Sequence, residues 1–238
     1  MPIEKIYSYE KEDKAMSLYL KKNVGLISSC KIYKEKELAF IGISLGNSYY
    51  TEDRLKLILS GFSSIFKNVA VLLADDLSIH NYRAIGYTEE KANKKLKKEM
   101  KSTRSRILKT IKYVEEKSNK TNIKFYQWKD VEQSLAYSKA FKSVEEKYNN
   151  DENFLHGVQK LTLNVLKKYT SDTQEEFVID EGKYYILKEL AFGLCASEFF
   201  KSSVLSCSYS DFPIYRDLLL SDSQIDRHET LTYECVEH

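Results

Sequence analysis

Three stretches of the chain place reactive or charged side chains in unusual surroundings. The first is Phe40-Ile41-Gly42-Ile43-Ser44-Leu45-Gly46-Asn47-Ser48-Tyr49-Tyr50. Its apolar half, Leu38–Ser44, reads as a buried strand, with Ser44 at its end just before a turn. An α/β fold presents reactive groups there, at the carboxyl ends of strands. Gly42 removes a side chain beside the serine and leaves room for a substrate group. Asn47 suits either holding the turn or donating a hydrogen bond. The same small polar residues also fit a turn in which they act only as local caps.

The second stretch, Tyr184 to Ala196, is apolar around most of a helical circumference and predicts a largely buried helix. Glu189 sits in its middle. Its neighbours on the same face are Tyr185, Ile186, Phe192 and Gly193, and none is a cation. A buried carboxylate must find a positive partner or shift its pKa until neutral. That partner is either a cation from another element or an ammonium that arrives with a ligand. In the second case the Tyr185 hydroxyl is a hydrogen-bonding neighbour.

The third is basic. Residues 91–120 hold 12 Lys or Arg against 3 Glu, a formal +9 in a chain of +2, so the rest of the molecule carries −7. Lys91, Lys94, Lys95, Lys97, Lys98, Lys101, Arg104 and Arg106 make up most of that charge. Leu96, Met100, Ile107, Ile111 and Val114 recur at helical spacing through the segment, so it reads as a helix docked by one face. A balanced surface helix would carry both signs. The one-sided count points instead to a phosphate backbone, with a merely solvated face as the alternative. No aromatic RNP motif or zinc knuckle accompanies it, so base-specific reading is not indicated.

These stretches need a frame. Val24–Ser28, Leu38–Ser44, Val69–Leu73, Ile123–Tyr126 and Val204–Ser208 read as short buried strands, which suit a parallel sheet covered on both faces. Between them lie amphipathic helices. One carries the stripe Leu55, Ile58, Leu59, Phe62, Ile65 and Phe66, with Thr51 as its N-cap and Glu52 and Asp53 in its first turn. Others are expected around Val131–Tyr148 and Phe154–Tyr169. The alternation predicts a Rossmann-like, doubly wound α/β fold with a mostly parallel sheet, as a single catalytic domain over residues 1–238. Hydrophobic residues make up 42% of the chain, too many for intrinsic disorder. Runs such as Val69–Ala74 and Leu190–Ala196 are too short to span a membrane. The polar N-terminus is neither a signal nor a transit peptide, which leaves the cytoplasm. The unpaired spacing of Cys30, Cys195, Cys207 and Cys235 reads as reduced thiols. The scattered histidines suggest no metal site, and no GxGxxG or Walker A loop indicates a nucleotide cofactor.

Taken together and in this order, the motifs resemble the tRNA-dependent cyclodipeptide synthases. Gly42, Ser44 and Asn47 look like that family's G-x-S followed by Asn three positions on, as in its asparagine-containing branch. Tyr185 and Glu189 resemble its Tyr and Glu four residues apart, and Tyr209 its tyrosine after a late strand. The likeness runs from about Phe40 to Tyr215. Leu45 and Ala191 stand where many members have proline. The resemblance implies the Rossmann-type fold of class I aminoacyl-tRNA synthetase catalytic domains. It also implies two aminoacyl-tRNAs as substrates, no cofactor, and a cyclic dipeptide (a 2,5-diketopiperazine) as product. Ser44 would carry first an aminoacyl and then a dipeptidyl ester. Tyr185 and Glu189 would hold the substrate ammonium, and Tyr209 would relay a proton or orient the intermediate. Phe40, Gly42 and Phe192, flanking these residues, suggest a hydrophobic first amino acid. A monomer is expected, with a weak homodimer as the alternative.

Two rivals use fewer of these features. Gly42-x-Ser44-x-Gly46 also matches the nucleophile elbow of α/β-hydrolases, with Asp211 or Asp217 and His228 completing a triad. That elbow leads straight into a helix, whereas here the best helix start is Thr51, and no HGG-type oxyanion loop is present. A non-enzymatic RNA-binding module would need the basic helix alone.

Overall fold

A computed structural model describes residues 2–11, 14–21, 37–117, 122–167, 175–208 and 229–237. Its strands are β1 (Pro2–Lys11), β2 (Lys14–Lys21), β3 (Leu38–Ser44), β4 (Asn68–Ala74), β5 (Asn122–Gln127), β6 (Val204–Ser208) and β7 (Glu229–Glu237). Its helices are α1 (Glu52–Ile65), α2 (Ser78–Ala84), α3 (Glu89–Lys117), α4 (Trp128–Glu132), α5 (Leu135–Asn150), α6 (Glu152–Leu166) and α7 (Glu175–Phe200). The strands form one sheet in the order β1-β2-β7-β6-β3-β4-β5. Neighbours from β7 to β5 are parallel, and the β1–β2–β7 edge is antiparallel. The sheet is therefore mostly parallel, as expected.

The two-residue period of the strands sorts their side chains into two layers. Ala39, Ile41 and Ile43 of β3, with Val69, Val71 and Leu73 of β4, pack with Leu55, Ile58, Leu59 and Phe62 of α1 and Ile107, Ile111 and Val114 of α3. Leu38, Phe40, Ala70, Leu72 and Ala74 face the other way, into a core with α4, α5, α6 and α7. Both faces are covered, and this explains why these strands read as unbroken apolar runs. At the start of α1, Thr51 Oγ1 accepts from Arg54 N at 3.3 Å. The 131–148 pattern divides at Gln133 and Ser134 into α4 and α5, and the later pattern is α6, capped by Asp151 at Phe154 N, 3.0 Å away.

Three strands have no counterpart in the apolar runs. β1, β2 and β7 alternate charged, polar and apolar residues, because an antiparallel edge buries only part of its side chains. The expected strand Val24–Ser28 lies outside the described residues. No described helix is long and apolar enough to cross a membrane.

The winding of the chain creates the site. From β3 it proceeds through β4 to β5 on one side, then returns to lay β6 on the other side of β3. Ligands bind at such a reversal, beyond the carboxyl ends of the strands. The β3–β6 ladder stops at Ile41 and Cys207, whereas the β3–β4 ladder runs on to Ser44 and Ala74. Gly42 and Ser44 therefore extend past the described β3–β6 pairing.

The next strand end is tied down by Asp75, which is 1% exposed. Its carboxylate accepts from Trp128 N at 3.0 Å, Gln127 Nε2 at 2.7 Å and Asp76 N at 3.1 Å, joining β4 to the β5–α4 corner. Asp75→Ala strands buried donors, and should destabilise the protein by about 2–4 kcal/mol in urea denaturation. A loss within about 0.5 kcal/mol would mean that water replaces the carboxylate at no cost.

Candidate active site

Ser44, the last residue of β3, is half-buried on the sheet face that meets α7. Tyr185, on α7 and 5% exposed, brings its hydroxyl to 3.2 Å from Ser44 Oγ. Glu189 lies one helical turn further along the same face of α7. A hydrogen bond from the Tyr185 hydroxyl also reaches its carboxyl. Ser44, distant in sequence, thus forms one hydrogen-bonded row with Tyr185 and Glu189.

Burial sets the electrostatics of this row. Desolvation pushes the Glu189 carboxyl up to about 7, and the Tyr185 hydrogen bond pulls the other way. Lys188, the adjacent cation, points elsewhere and pairs with Glu132 at 2.9 Å. A carboxyl poised near neutrality can take up a proton or, as an anion, hold an ammonium group.

Beside Ser44 the strand is bare. Gly42 is exposed, and among the described residues a Cβ built on it would meet only the Phe40 ring, at 3.6 Å. Phe40 packs edge-on against Phe192 with centroids 5.3 Å apart, and Phe192 leads on to Trp128, Phe199 and Phe200. The space over Gly42 therefore has an aromatic boundary, with Phe192 backing Phe40.

The turn after Ser44 is held from two sides. Asn47 Oδ1 accepts from Tyr49 N at 3.0 Å, so Asn47 shapes the turn locally. Gly46 has φ +69°, and an added Cβ would lie 3.0 Å from Glu99 Oε2 of α3. Tyr50, 3% exposed, donates through its hydroxyl to the Gly42 carbonyl at 3.0 Å. Its own carbonyl accepts from Arg106 Nη1 at 2.6 Å. Nothing in the spacing of residues marked Tyr50 or Glu99 as parts of this assembly. The one signal was an aromatic residue just before the Thr51 cap.

The basic helix docks as its stripe predicts, with Ile107, Ile111 and Val114 buried and Leu96 and Met100 packed at the edge of the core. Its cations divide into two groups. Lys91, Lys94, Lys97, Lys98, Lys101 and Arg104 are exposed. Lys95 turns aside, 5.1 Å from the centroids of both Tyr82 and Tyr87 and 3.7 Å from Glu99. Tyr82 in turn hydrogen-bonds Glu99. Arg106 turns inward to Tyr50. Lys98, Lys101, Ser102, Ser105, Arg106 and Lys109, with Glu52 of α1, line a depression along one side of α3.

Tyr209, Asp211, Asp217 and His228 lie outside the described residues. The elbow geometry can be judged without them. Six residues of turn and loop follow Leu45 before α1 starts at Glu52, so Ser44 does not sit on a strand–serine–helix elbow.

The Glu189 pKa has a consequence for stability. An unfolded chain ionises this carboxyl near its ordinary 4.5, and the folded chain only near about 7. The folded state therefore holds the extra proton, and stability falls as pH rises between those values, by up to about 3 kcal/mol. Glu189→Gln cannot ionise. It should gain stability relative to the parent as pH is raised from about 5 to 8, in melting curves across that range. A pH-independent difference would show that the carboxyl is well solvated.

Residues 24–237 match the family model described as cyclodipeptide synthase. The chain is 29% identical over 182 residues, 72% of its length and 75% of the relative's, to the cyclo(L-leucyl-L-leucyl) synthase of Staphylococcus haemolyticus (strain JCSC1435). Its fold superposes, with a TM-score of 0.71 and 20% identity over 94% of each chain, on a Mycobacterium tuberculosis protein whose structure relates cyclodipeptide synthetases to type I tRNA synthetases. A cyclodipeptide synthase from Candidatus Glomeribacter gigasporarum, bound to Phe-tRNAPhe, superposes with a TM-score of 0.55 and 17% identity over 83% of this chain and 87% of that one. The α/β fold is thus related to that of class I tRNA synthetases, and the family model spans most of the chain, strand β3 and helix α7 included: the chain belongs to the cyclodipeptide synthase family.

Proposed function

We propose that this chain joins two aminoacyl groups, each delivered by a tRNA, into a cyclic dipeptide, with Ser44 as the transient carrier. The observation that carries the reading is the row Ser44–Tyr185–Glu189 at the carboxyl end of β3, with Tyr185 3.2 Å from the serine. An ester-linked aminoacyl group is already activated, so this chemistry draws on no nucleotide, cofactor or metal.

In the first step Ser44 Oγ attacks the ester carbonyl carbon, and the bond to the terminal ribose oxygen breaks. The serine proton must reach that leaving oxygen, and the Tyr185 hydroxyl, which can accept one proton and give another, is placed to pass it. Glu189, as an anion, pairs with the substrate α-ammonium, which favours ionisation and draws its pKa below 7. The amine of the seryl-bound aminoacyl group then attacks the ester carbonyl carbon of a second aminoacyl-tRNA, and the bond to that ribose oxygen breaks, giving a dipeptidyl-enzyme and free tRNA. The attacking amine must be neutral, and Glu189 is the nearby group able to accept its proton. The free amine of the dipeptide finally attacks the seryl ester, closes the ring and restores Ser44. Tyr209 is proposed to relay a proton or orient the intermediate in this step.

Phe40, Gly42 and Phe192 favour a bulky apolar first residue, in keeping with the leucyl-leucyl product named for the relative. Asn47 supports the asparagine-containing branch. Lys91, Lys94, Lys97, Lys98, Lys101 and Arg104 offer a row of exposed charge for the acceptor-arm phosphates. We take residues 1–238 as one catalytic domain, a cytoplasmic enzyme working as a monomer or weak homodimer.

Intact-mass measurement after mixing with labelled leucyl-tRNA and phenylalanyl-tRNA should show an aminoacyl adduct on the parent chain and none on Ser44→Ala. Ribonuclease treatment of the substrate should abolish it. Tight tRNA binding with neither adduct nor diketopiperazine would refute the synthase reading in favour of an RNA-binding module. Turnover of simple esters without RNA would instead support a hydrolase.

Replacing Lys94, Lys97, Lys98 and Lys101 with Ala should weaken tRNA binding roughly tenfold or more at low salt and flatten its dependence on salt. The check is equilibrium binding over a salt series. An unchanged slope would remove this face from the RNA interface.

A further inference from the structure

Arg106 differs in kind from the other cations of α3. It is half-buried, and its Nη1 donates to the Tyr50 carbonyl at 2.6 Å. Tyr50 passes the connection on, since its hydroxyl donates to the Gly42 carbonyl at 3.0 Å. Gly42 stands two residues before Ser44 on the same strand face. Two hydrogen bonds and one buried ring therefore join the basic helix to the strand that carries the proposed nucleophile.

The same guanidinium also borders the depression formed by Lys98, Lys101, Ser102, Ser105 and Lys109. These positions recur at helical spacing along one face of α3. Three ammonium groups and two hydroxyls around a shallow concavity suit a phosphodiester, which accepts hydrogen bonds on every exposed oxygen. Glu52, at its edge, is neutralised by Lys56 at 2.7 Å. A guanidinium carries five N–H hydrogens in a rigid fork, so binding the Tyr50 carbonyl leaves others for a phosphate. A lysine ammonium at the same position would offer a point charge without the fork.

We propose that Arg106 is a positioning residue: a backbone phosphate of the tRNA seated in this depression is coupled through Arg106, Tyr50 and Gly42 to the placement of Ser44. This deepens the synthase reading and rests on it. Glu99 of α3 also lies beside Gly46 in the turn, so in this proposal α3 is both the surface that meets RNA and a neighbour of the turn after Ser44. Docking and chemistry then share one rigid element, and a small displacement of the serine is enough to slow the reaction strongly.

The test separates binding from chemistry. Arg106→Lys keeps the charge and loses the fork, and Tyr50→Phe loses only the hydroxyl. Lys98→Ala, a charge loss in the same depression, is the comparator. Equilibrium binding of uncharged tRNA over a salt series gives affinity and slope. Adduct formation at saturating leucyl-tRNA, in a single turnover followed by intact mass, gives the chemical step. Arg106→Lys and Tyr50→Phe should keep affinity within about twofold and should acylate on the order of tenfold or more slowly. Lys98→Ala should weaken affinity and flatten the salt slope.

The proposal is overturned if Arg106→Lys changes affinity and salt slope as Lys98→Ala does while acylating at the parental rate. It is also overturned if Tyr50→Phe acylates at that rate. A parent chain that forms no adduct would count against the synthase reading instead. Hydrogen exchange then decides the coupling separately: bound tRNA should protect the Leu45–Thr51 amides in the parent and not in Arg106→Lys, and equal protection in both would refute it.

Discussion

Gly42 and Ser44 extend past the described β3–β6 pairing, which ends at Ile41 and Cys207. This position follows from the winding order, since a chain that builds outward from β3 and then returns leaves a reversal next to it. The proposed chemistry depends on it: Gly42 carries no side chain, and Ser44 stands at the strand end. Helix α7 brings Tyr185 to the serine and sets Glu189 one turn beyond. The aromatic group of Phe40, Phe192 and Phe200 fills the adjoining core.

Much of this was legible in the residue order because it follows short-range periodicity. A buried strand with a serine at its end shows in five or six residues. A tyrosine and a glutamate four apart must share a helix face, so their meeting needed no knowledge of the tertiary fold. Helix α3 was legible for the same reason, its apolar stripe being visible through the charge. The strands of the antiparallel edge were not, because half-exposed ribbons mix charged and apolar residues and leave no run to detect.

The divided behaviour of the α3 cations was also out of reach. Lys94 and Lys95 are adjacent and chemically identical, yet one faces solvent and the other meets two tyrosines and Glu99. Which of them turns inward depends on Tyr82 and Tyr87, and their placement follows from the packing of α2. Glu99 illustrates the same point. It looks like weak compensation for a surplus of lysine, but it lies against Gly46 and receives the Tyr82 hydroxyl. Its carboxylate meets Tyr82 and Lys95 beside the turn that follows the serine.

The Tyr185 hydroxyl lies between two oxygens, Ser44 Oγ and the Glu189 carboxyl, and a phenol brings a single proton. Donation to one excludes donation to the other. When Glu189 is an anion it is the stronger acceptor, and Tyr185 then turns its lone pairs to the serine and receives the serine's proton. When Glu189 is protonated, the phenol can give its hydrogen to Ser44 Oγ and blunt the proposed nucleophile. A ligand ammonium that stabilises the anion would thus also favour the arrangement that leaves Ser44 Oγ free to act as the proposed nucleophile.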